Sequence, residues 1–400
     1  MDQGPFEFLL IRYGEMSLKS YKVRRKLEDI LINRIQQMMR RKNVPFQSIK
    51  LHPARGRFFL YTRHLDAAME ELQKCFGIIS MSPAFKVPAE RKLICEASLK
   101  LAEKGIVLNQ SFAVKTKRVG QHSFSSQDIS AEIGAYLLDN LKDRGISVNL
   151  SNPDYTLYIE IRDKDVYIFD KIIPGIAGLP YGSQGKLISL HSGGIDSPVS
   201  AWFMMKRGCD IFPLYCDLHP YTDDASYERV IQTLQKIFLY SPYSHFTFYM
   251  APHGEALEKI KDIIPPKLTC IFCKRIMYKI AQKLASQLGA QGLTSGENLG
   301  QVASQTLDNL FVLNQAISIP IYRPLIGFDK NEIIDLSKRI GVYESSILPV
   351  TSCGAVPQYP ETHGVLNDIL QIEKRNQIDK IVEDEFHGIK QIKISVIPDS

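Results

Sequence analysis

Six consecutive residues, Ser192-Gly193-Gly194-Ile195-Asp196-Ser197, follow a short strand-like run at 186–190 and precede a helix-like run at 199–207. Two adjacent glycines at such a junction let the backbone turn sharply and come close to a ligand. Successive N–H groups and the positive end of the following helix then form an anion cradle. Ser192 and Ser197 add hydroxyl donors. Asp196 repels phosphate unless it holds Mg²⁺ or orients a donor, so a carboxylate inside the loop points to metal-assisted nucleotide chemistry. The Gly-Lys-Ser/Thr of the usual kinase and GTPase loop is missing. The competing reading is a plain glycine turn with a Ser or Asp cap. Strand-like runs at 209–216, 245–250 and 292–294 alternate with helix-like runs at 227–240 and 273–288. That alternation predicts an α/β domain with a doubly wound parallel sheet.

The chain ahead of this region has a different texture. A strand-like run at 5–12 leads to a helix-like one at 22–41, whose Leu27, Ile30, Leu31, Ile35 and Met38 recur at helical spacing. Strand-like 48–52 and 56–62 and helix-like 66–75 complete an N-terminal α+β module, 1–77. A second module, 78–177, reads as helices at 92–104 and 126–141 with strands at 111–117, 156–162 and 165–172. Ser125 or Ser126 is available as a cap for the later helix. Gly- and Pro-rich 174–185 is the linker to a third domain, 178–400.

The charge divides along the same line. Residues 1–182 hold 28 basic and 20 acidic side chains, whereas the rest hold 21 and 23. A basic half joined to a near-neutral one suggests a polyanion-binding part. Lys115, Lys117 and Arg118 form a compact cluster; Arg24, Arg25, Lys26, Arg40, Arg41, Arg55 and Arg57 are further candidates. A hydrophobic fraction of 44% with 23% charged residues excludes wholesale disorder. No run of 18 apolar residues and no secretory pattern occurs, so a cytoplasmic, membrane-free protein is expected. Seven cysteines, an odd number thinly spread, do not resemble a secreted disulfide framework.

The SGGIDS segment resembles the PP-loop of ATP pyrophosphatases. Three further segments, IRYGEMSLKS, FAVKTKRVGQHSFSSQDISAEIGAYL and SGENLGQVASQTLDNL, are similar to the 4-thiouridine synthetases, the ThiI-type tRNA sulfurtransferases. The resemblance runs over nearly the whole chain in the family's order: ferredoxin-like domain, THUMP domain, PP-loop domain. It implies an enzyme that uses ATP to adenylate the C4 oxygen of uridine 8 in tRNA, after which sulfur displaces AMP. It also implies that Leu190, His191, Tyr215, Cys216, Lys274, Gly296 and Gln305 hold the nucleotide together with the PP-loop. Lys274 suits phosphate as a point cation. Gly296 permits close backbone approach at the carboxyl end of a parallel sheet, where ligands bind.

By the same resemblance Cys353, in LPVTSCGAVPQYP, matches the cysteine that carries transferable sulfur. That role needs a partly exposed thiolate with a lowered pKa. Some relatives append a rhodanese domain; this sequence runs 47 residues past Cys353, too few for one. A cysteine desulfurase or free sulfide is therefore the expected sulfur source. Cys270-Ile-Phe-Cys273 stays open between three readings: a redox or persulfide pair, a structural pair, or, as the resemblance to some relatives implies, ligation of an iron–sulfur cluster together with Cys353. Relatives further imply a homodimer and a sulfur-carrier protein of the thiamine pathway as partners.

Overall fold

The computed structural model describes residues 6–52 and 56–396, so Arg55 lies outside the described residues. Contacts divide the chain into two compact units, Met1–Gly178 and Leu179–Ser400.

In the first unit the elements run β1 (Phe8–Tyr13), α1 (Tyr21–Arg41), β2 (Ser48–Leu51), β3 (Arg57–Tyr61), α2 (Leu65–Leu72), β4 (Ile78–Pro88), α3 (Arg91–Gly105), β5 (Ser111–Val119), α4 (Ser126–Asn140), β6 (Ser147–Val148), β7 (Tyr155–Arg162), β8 (Asp165–Phe169) and β9 (Ile173–Pro174). One sheet has the order β2-β3-β1-β4-β8-β7-β5-β6, with β9 on β4. The eleven-residue β4 joins its halves: Ile78–Ala84 pairs antiparallel with β1, and Phe85–Pro88 pairs antiparallel with β8. This strand begins where the sequence suggests a boundary, after Gly77, and pairs with strands on both sides of it. The long α1 buries Leu27, Leu31, Ile35, Met38 and Met39 and leaves its basic residues mostly outward, the division that an apolar stripe of helical period imposes. Ser125 caps α4: its hydroxyl accepts from the Asp128 N–H and the Asp128 carboxylate accepts from the Ser125 N–H, which satisfies two donors at the helix start.

In the second unit follow β10 (Lys186–Leu190), α5 (Asp196–Lys206), β11 (Asp210–Cys216), α6 (Asp224–Phe238), β12 (His245–Ala251), α7 (His253–Ile263), α8 (Thr269–Leu288), β13 (Leu293–Thr294), α9 (Leu307–Asn314), β14 (Ile321–Tyr322), α10 (Lys330–Arg339), α11 (Tyr343–Ser346), α12 (Leu366–Arg375), α13 (Ile378–His387) and β15 (Lys390–Ser395). The sheet order is β14-β13-β10-β11-β12-β15. β10 pairs parallel with both β11 and β13. The chain adds β11 and β12 on one side of β10 and then crosses to place β13 on the other. The crevice beyond the carboxyl ends of β10 and β13 is therefore the switch point where open α/β sheets bind ligands.

Helices cover both faces. Leu214 and Cys216 of β11 pack in the core formed with α7, α8 and α13, whereas Tyr215, between them, packs with α6. That alternation follows from the two-residue period of a strand. The sheet departs from the all-parallel expectation at one edge, where β15 runs antiparallel to β12 from Lys390 opposite Met250 to Ser395 opposite His245. Its Lys/Ile alternation suits an edge with one face wet.

Candidate active site

The Ser192–Ser197 loop leaves the end of β10 and runs directly into α5, which begins at Asp196. Gly193 has φ +73°, and a Cβ there would stand 2.9 Å from the Val230 nitrogen, so side chains are excluded on both counts. Gly194 differs: a Cβ would meet only Ser192 Oγ at 3.6 Å, which leaves open space on the loop's surface. Inside the loop the Ser192 N–H donates to Ser197 Oγ (3.1 Å). Asp196 is not bare. The Lys330 ammonium, at the start of α10, stands 2.7 Å from Oδ1, and the Gln301 amide donates to Oδ2 at 3.2 Å.

A cavity of about 740 Å³ opens against this loop. Its lining includes Leu190, His191, Ser192, Asp196, Ser197, Tyr215, Cys216, Lys274, Gly296, Gln305 and Cys353. His191 is buried, and burial pushes its pKa down to about 3, so the ring is neutral. Nε2 lies 3.0 Å from Thr233 Oγ1, whose own hydrogen goes to a carbonyl of the α6 turn. Nε2 therefore donates, and Nδ1 is a buried acceptor with no partner among the described residues. Gln305 Oε1 is likewise buried without a partner there. Unsatisfied polar atoms in a cavity wall are what a polar ligand completes.

Lys274 reaches the cavity from α8 and lies 3.2 Å from Glu297 Oε1. Glu297 also accepts from Tyr278 (2.6 Å), Ser295 (3.1 Å) and Arg323. Burial would raise the pKa of this carboxyl, but Lys274 and Arg323 outweigh it and hold it down to about 2. Gly296, in the same turn, has a different reason to be glycine from the one expected. A Cβ would come 2.7 Å from the Asp196 carbonyl carbon and 2.8 Å from the Ser197 nitrogen. Its close approach is to the start of α5, so it seats the turn after β13 against the phosphate loop.

The loop bearing Cys353 is tied to α6. Thr351 donates its N–H (2.8 Å) and hydroxyl (2.6 Å) to Asp223 Oδ2, and the Gly354 N–H donates to the Tyr221 carbonyl at 3.0 Å. The lowered thiol pKa expected for Cys353 is corrected. The side chain is half-buried, and burial pushes the thiol up. The Ala355 backbone hydrogen bond and the charges of His253 and Lys261 pull down without compensating. The helix expected from 273 begins at Thr269, so Cys270 and Cys273 both sit in the opening turns of α8. Cys273 Sγ is 3.2 Å from His253 Nε2, and His253 Nδ1 is 2.9 Å from Glu385 Oε1. Burial disfavours the imidazolium, but Cys273 and Glu385 outweigh it and raise the His253 pKa to about 10.

The chemistry of these thiols suits a cluster better than their arrangement does. Cys75, Cys95, Cys209 and Cys216 are buried, whereas Cys270, Cys273 and Cys353 are partly accessible. Burial pushes the thiols of Cys270 and Cys353 up, and the neighbouring Cys273 adds to that push. Yet among the described residues no three His, Cys, Asp or Glu side chains are arranged to hold a metal ion, and Cys273 is engaged with His253.

In the first unit, Lys115, Lys117 and Arg118 are exposed along β5, with Lys115 opposite Tyr158 and Lys117 opposite Glu160. Arg25, Lys26 and Arg40 are exposed on α1, and Arg24 is partly so. Arg41 and Arg57 are corrected as nucleic-acid candidates. Arg41 is buried against Glu71, and Arg57 Nε is held 2.8 Å from the buried Glu160. No described helix is long and apolar enough to cross a membrane.

Sequence reasoning missed Lys330, Gln301, Glu297, Arg323, His253 and Glu385. One signal was available for Lys330: Asp329 and Glu332 form a capping box, a motif readable in the sequence, and it puts Lys330 in the first turn of a helix.

Three family models match the chain: the ThiI ferredoxin-like domain at residues 8–82, the THUMP domain at 92–170, and the thiamine biosynthesis protein (ThiI) at 182–378. A probable tRNA sulfurtransferase of Methanosarcina acetivorans is 38% identical over 394 residues, which is 98% of this chain and 95% of that one. Another, of Methanothermobacter thermautotrophicus, is 37% identical over 97% of this chain and 98% of its own length. Among solved structures, a 4-thiouridine synthetase–RNA complex with bound ATP superposes with a TM-score of 0.85 at 32% identity, covering 98% of this chain and all of that one.

Proposed function

The chain belongs to the ThiI family of ATP-dependent tRNA sulfurtransferases, and from that premise we propose that it adenylates the C4 oxygen of uridine 8 in tRNA and replaces that oxygen with sulfur. The observation that carries this reading is that Cys353 lines the same cavity as Ser192, Asp196 and Ser197. Activation and sulfur delivery then share one chamber, so the reactive adenylate need not travel.

In this reading the phosphates of ATP lie on the N–H groups of the loop and the α5 terminus, where the helix dipole favours anions. The open surface at Gly194 leaves room for them. Lys274 adds a cation that Glu297 keeps in place. Mg²⁺ would be held by the phosphates and by Asp196, in exchange for its Lys330 or Gln301 contact, and would neutralise charge on the departing pyrophosphate. The uridine oxygen attacks the α-phosphorus and pyrophosphate leaves. A persulfide on Cys353, passed from a desulfurase persulfide with release of the desulfurase thiol, then attacks C4 through its outer sulfur and expels AMP. A second thiol, Cys270 or Cys273 being near, attacks Cys353 Sγ, breaks the S–S bond, frees 4-thiouridine and leaves a disulfide that an external thiol reduces. Exposed Lys115, Lys117 and Arg118 suit contacts to tRNA phosphates.

Two variants separate the half-reactions. C353S should still convert ATP to AMP on tRNA but form no 4-thiouridine, whereas D196A should lose both while keeping tRNA affinity. A C353S enzyme with full thiolation would contradict the reading.

A second reading gives Cys270, Cys273 and Cys353 an iron–sulfur cluster, three thiolates leaving one iron open for sulfide. It is supported by these three being the partly accessible cysteines. Iron and acid-labile sulfide are measured after anaerobic purification. Stoichiometric iron that disappears in C270S favours the cluster; a colourless, iron-free and fully active enzyme contradicts it.

A further inference from the structure

Charges around the cavity are matched with one exception. Asp196 is met by Lys330, and Glu297 by Lys274 and Arg323. Arg229, on α6, lines the same cavity and forms no ion pair among the described residues. Its Nε is buried with no hydrogen-bond partner, and Nη1 has one long contact, 3.5 Å, to the Leu348 carbonyl. The nearby Asp223 is taken up by Thr351 and Ser226. Asp223 favours the Arg229 charge from a distance but makes no ion pair with it, and a part-buried guanidinium whose donors lack a partner is unfavourable unless an anion completes it.

The position of Arg229 says which anion. Its neighbour Val230 is the residue that a Cβ on Gly193 would strike, so this turn of α6 lies against the phosphate loop. Thr233, one turn on, accepts from His191. On the other side, Leu348 begins the loop that carries Cys353, and Thr351 fastens that loop to the start of α6. Arg229 therefore stands in the wall between the phosphate loop and the sulfur loop, with a planar fork of donors that matches phosphate oxygens.

We propose that Arg229 binds a phosphate group of the nucleotide, facing the loop from the α6 side of the cavity. This inference rests on the reading that ATP occupies the cavity. The guanidinium would hold either the α-phosphate, where charge appears as AMP leaves, or the pyrophosphate end.

Equilibrium binding of ATP, AMP and pyrophosphate to the full chain, each measured separately, tests this with R229M and R229K. R229M should weaken ATP by about tenfold or more, as expected for loss of a charge-assisted contact. Its melting temperature should stay near that of the unsubstituted enzyme, and R229K should recover part of the affinity. Loss confined to AMP assigns the α-phosphate; loss confined to pyrophosphate assigns the other end. If R229M unfolds, R229K and R229Q carry the same comparison. Unchanged affinity for all three probes overturns the inference, including the case in which thiolation slows, because Arg229 then serves only the Leu348 carbonyl. An unsubstituted enzyme that binds no ATP contradicts the functional reading itself, which keeps the two failures apart.

Discussion

The Lys330 ammonium stands 2.7 Å from Asp196 Oδ1, so the acid inside the phosphate loop is neutralised from a helix 134 residues further along the chain. Until Mg²⁺ arrives, that cation keeps the loop from presenting a bare carboxylate to incoming phosphate. K330M should therefore lower AMP formation by about 10–100-fold, the range for removing a partner that orients a ligating carboxylate. The pair is partly exposed, so the melting temperature should change little. Full AMP formation by K330M would show that the ammonium is dispensable.

The two loop glycines should separate folding from binding. G193A places a Cβ at positive φ and into Val230, and should destabilise the protein by about 1–2 kcal/mol as well as abolish ATP binding. G194A meets only ordinary contacts, so its denaturant midpoint should match the unsubstituted protein while ATP affinity falls. Equal loss of stability in both would contradict the assignment of the Gly194 surface to a ligand.

Basic residues in the first unit should fall into two groups. K115A and K117A should each weaken tRNA binding and reduce the slope of log K against log salt by about 0.7–0.9 per lost phosphate contact. R41A removes the partner of buried Glu71 and should instead cost about 3–5 kcal/mol of stability. A flat salt response for the unsubstituted enzyme would count against this face as the tRNA contact.

Glu297 predicts a pH dependence of stability. Its folded pKa, about 2, lies below the ordinary 4.5, so the folded state binds this proton less readily than the unfolded one. The contribution is complete above pH 4.5 and is lost as pH falls towards 2. Urea titrations of the parent and E297Q between pH 7 and 3 measure it. The stability gap between them should shrink as pH falls; a constant gap would contradict the ion pairs to Lys274 and Arg323.

What was legible in the chain was local. The strand–glycine–helix junction at Ser192–Ser197 and the apolar period of α1 are carried by neighbours in sequence, and both follow from backbone sterics and burial period. What was illegible depends on parts of the chain brought together by the fold. The partners of Asp196 and Glu297 come from α10 and from the residue after β14, and no spacing rule links them. Gly296 reads as a ligand approach until the sheet order places the turn after β13 beside the start of α5. The thiol of Cys353 reads as activated until its burial is known. The antiparallel β15 lies beyond the alternating units that define the parallel sheet.

The central claim is tested most directly by nucleoside mass spectrometry of unmodified tRNA incubated with the enzyme, ATP, Mg²⁺ and a sulfur source. The account predicts 4-thiouridine confined to position 8, dependent on ATP and lost in C353S. AMP release with no 4-thiouridine, or thiolation at another position, would contradict it.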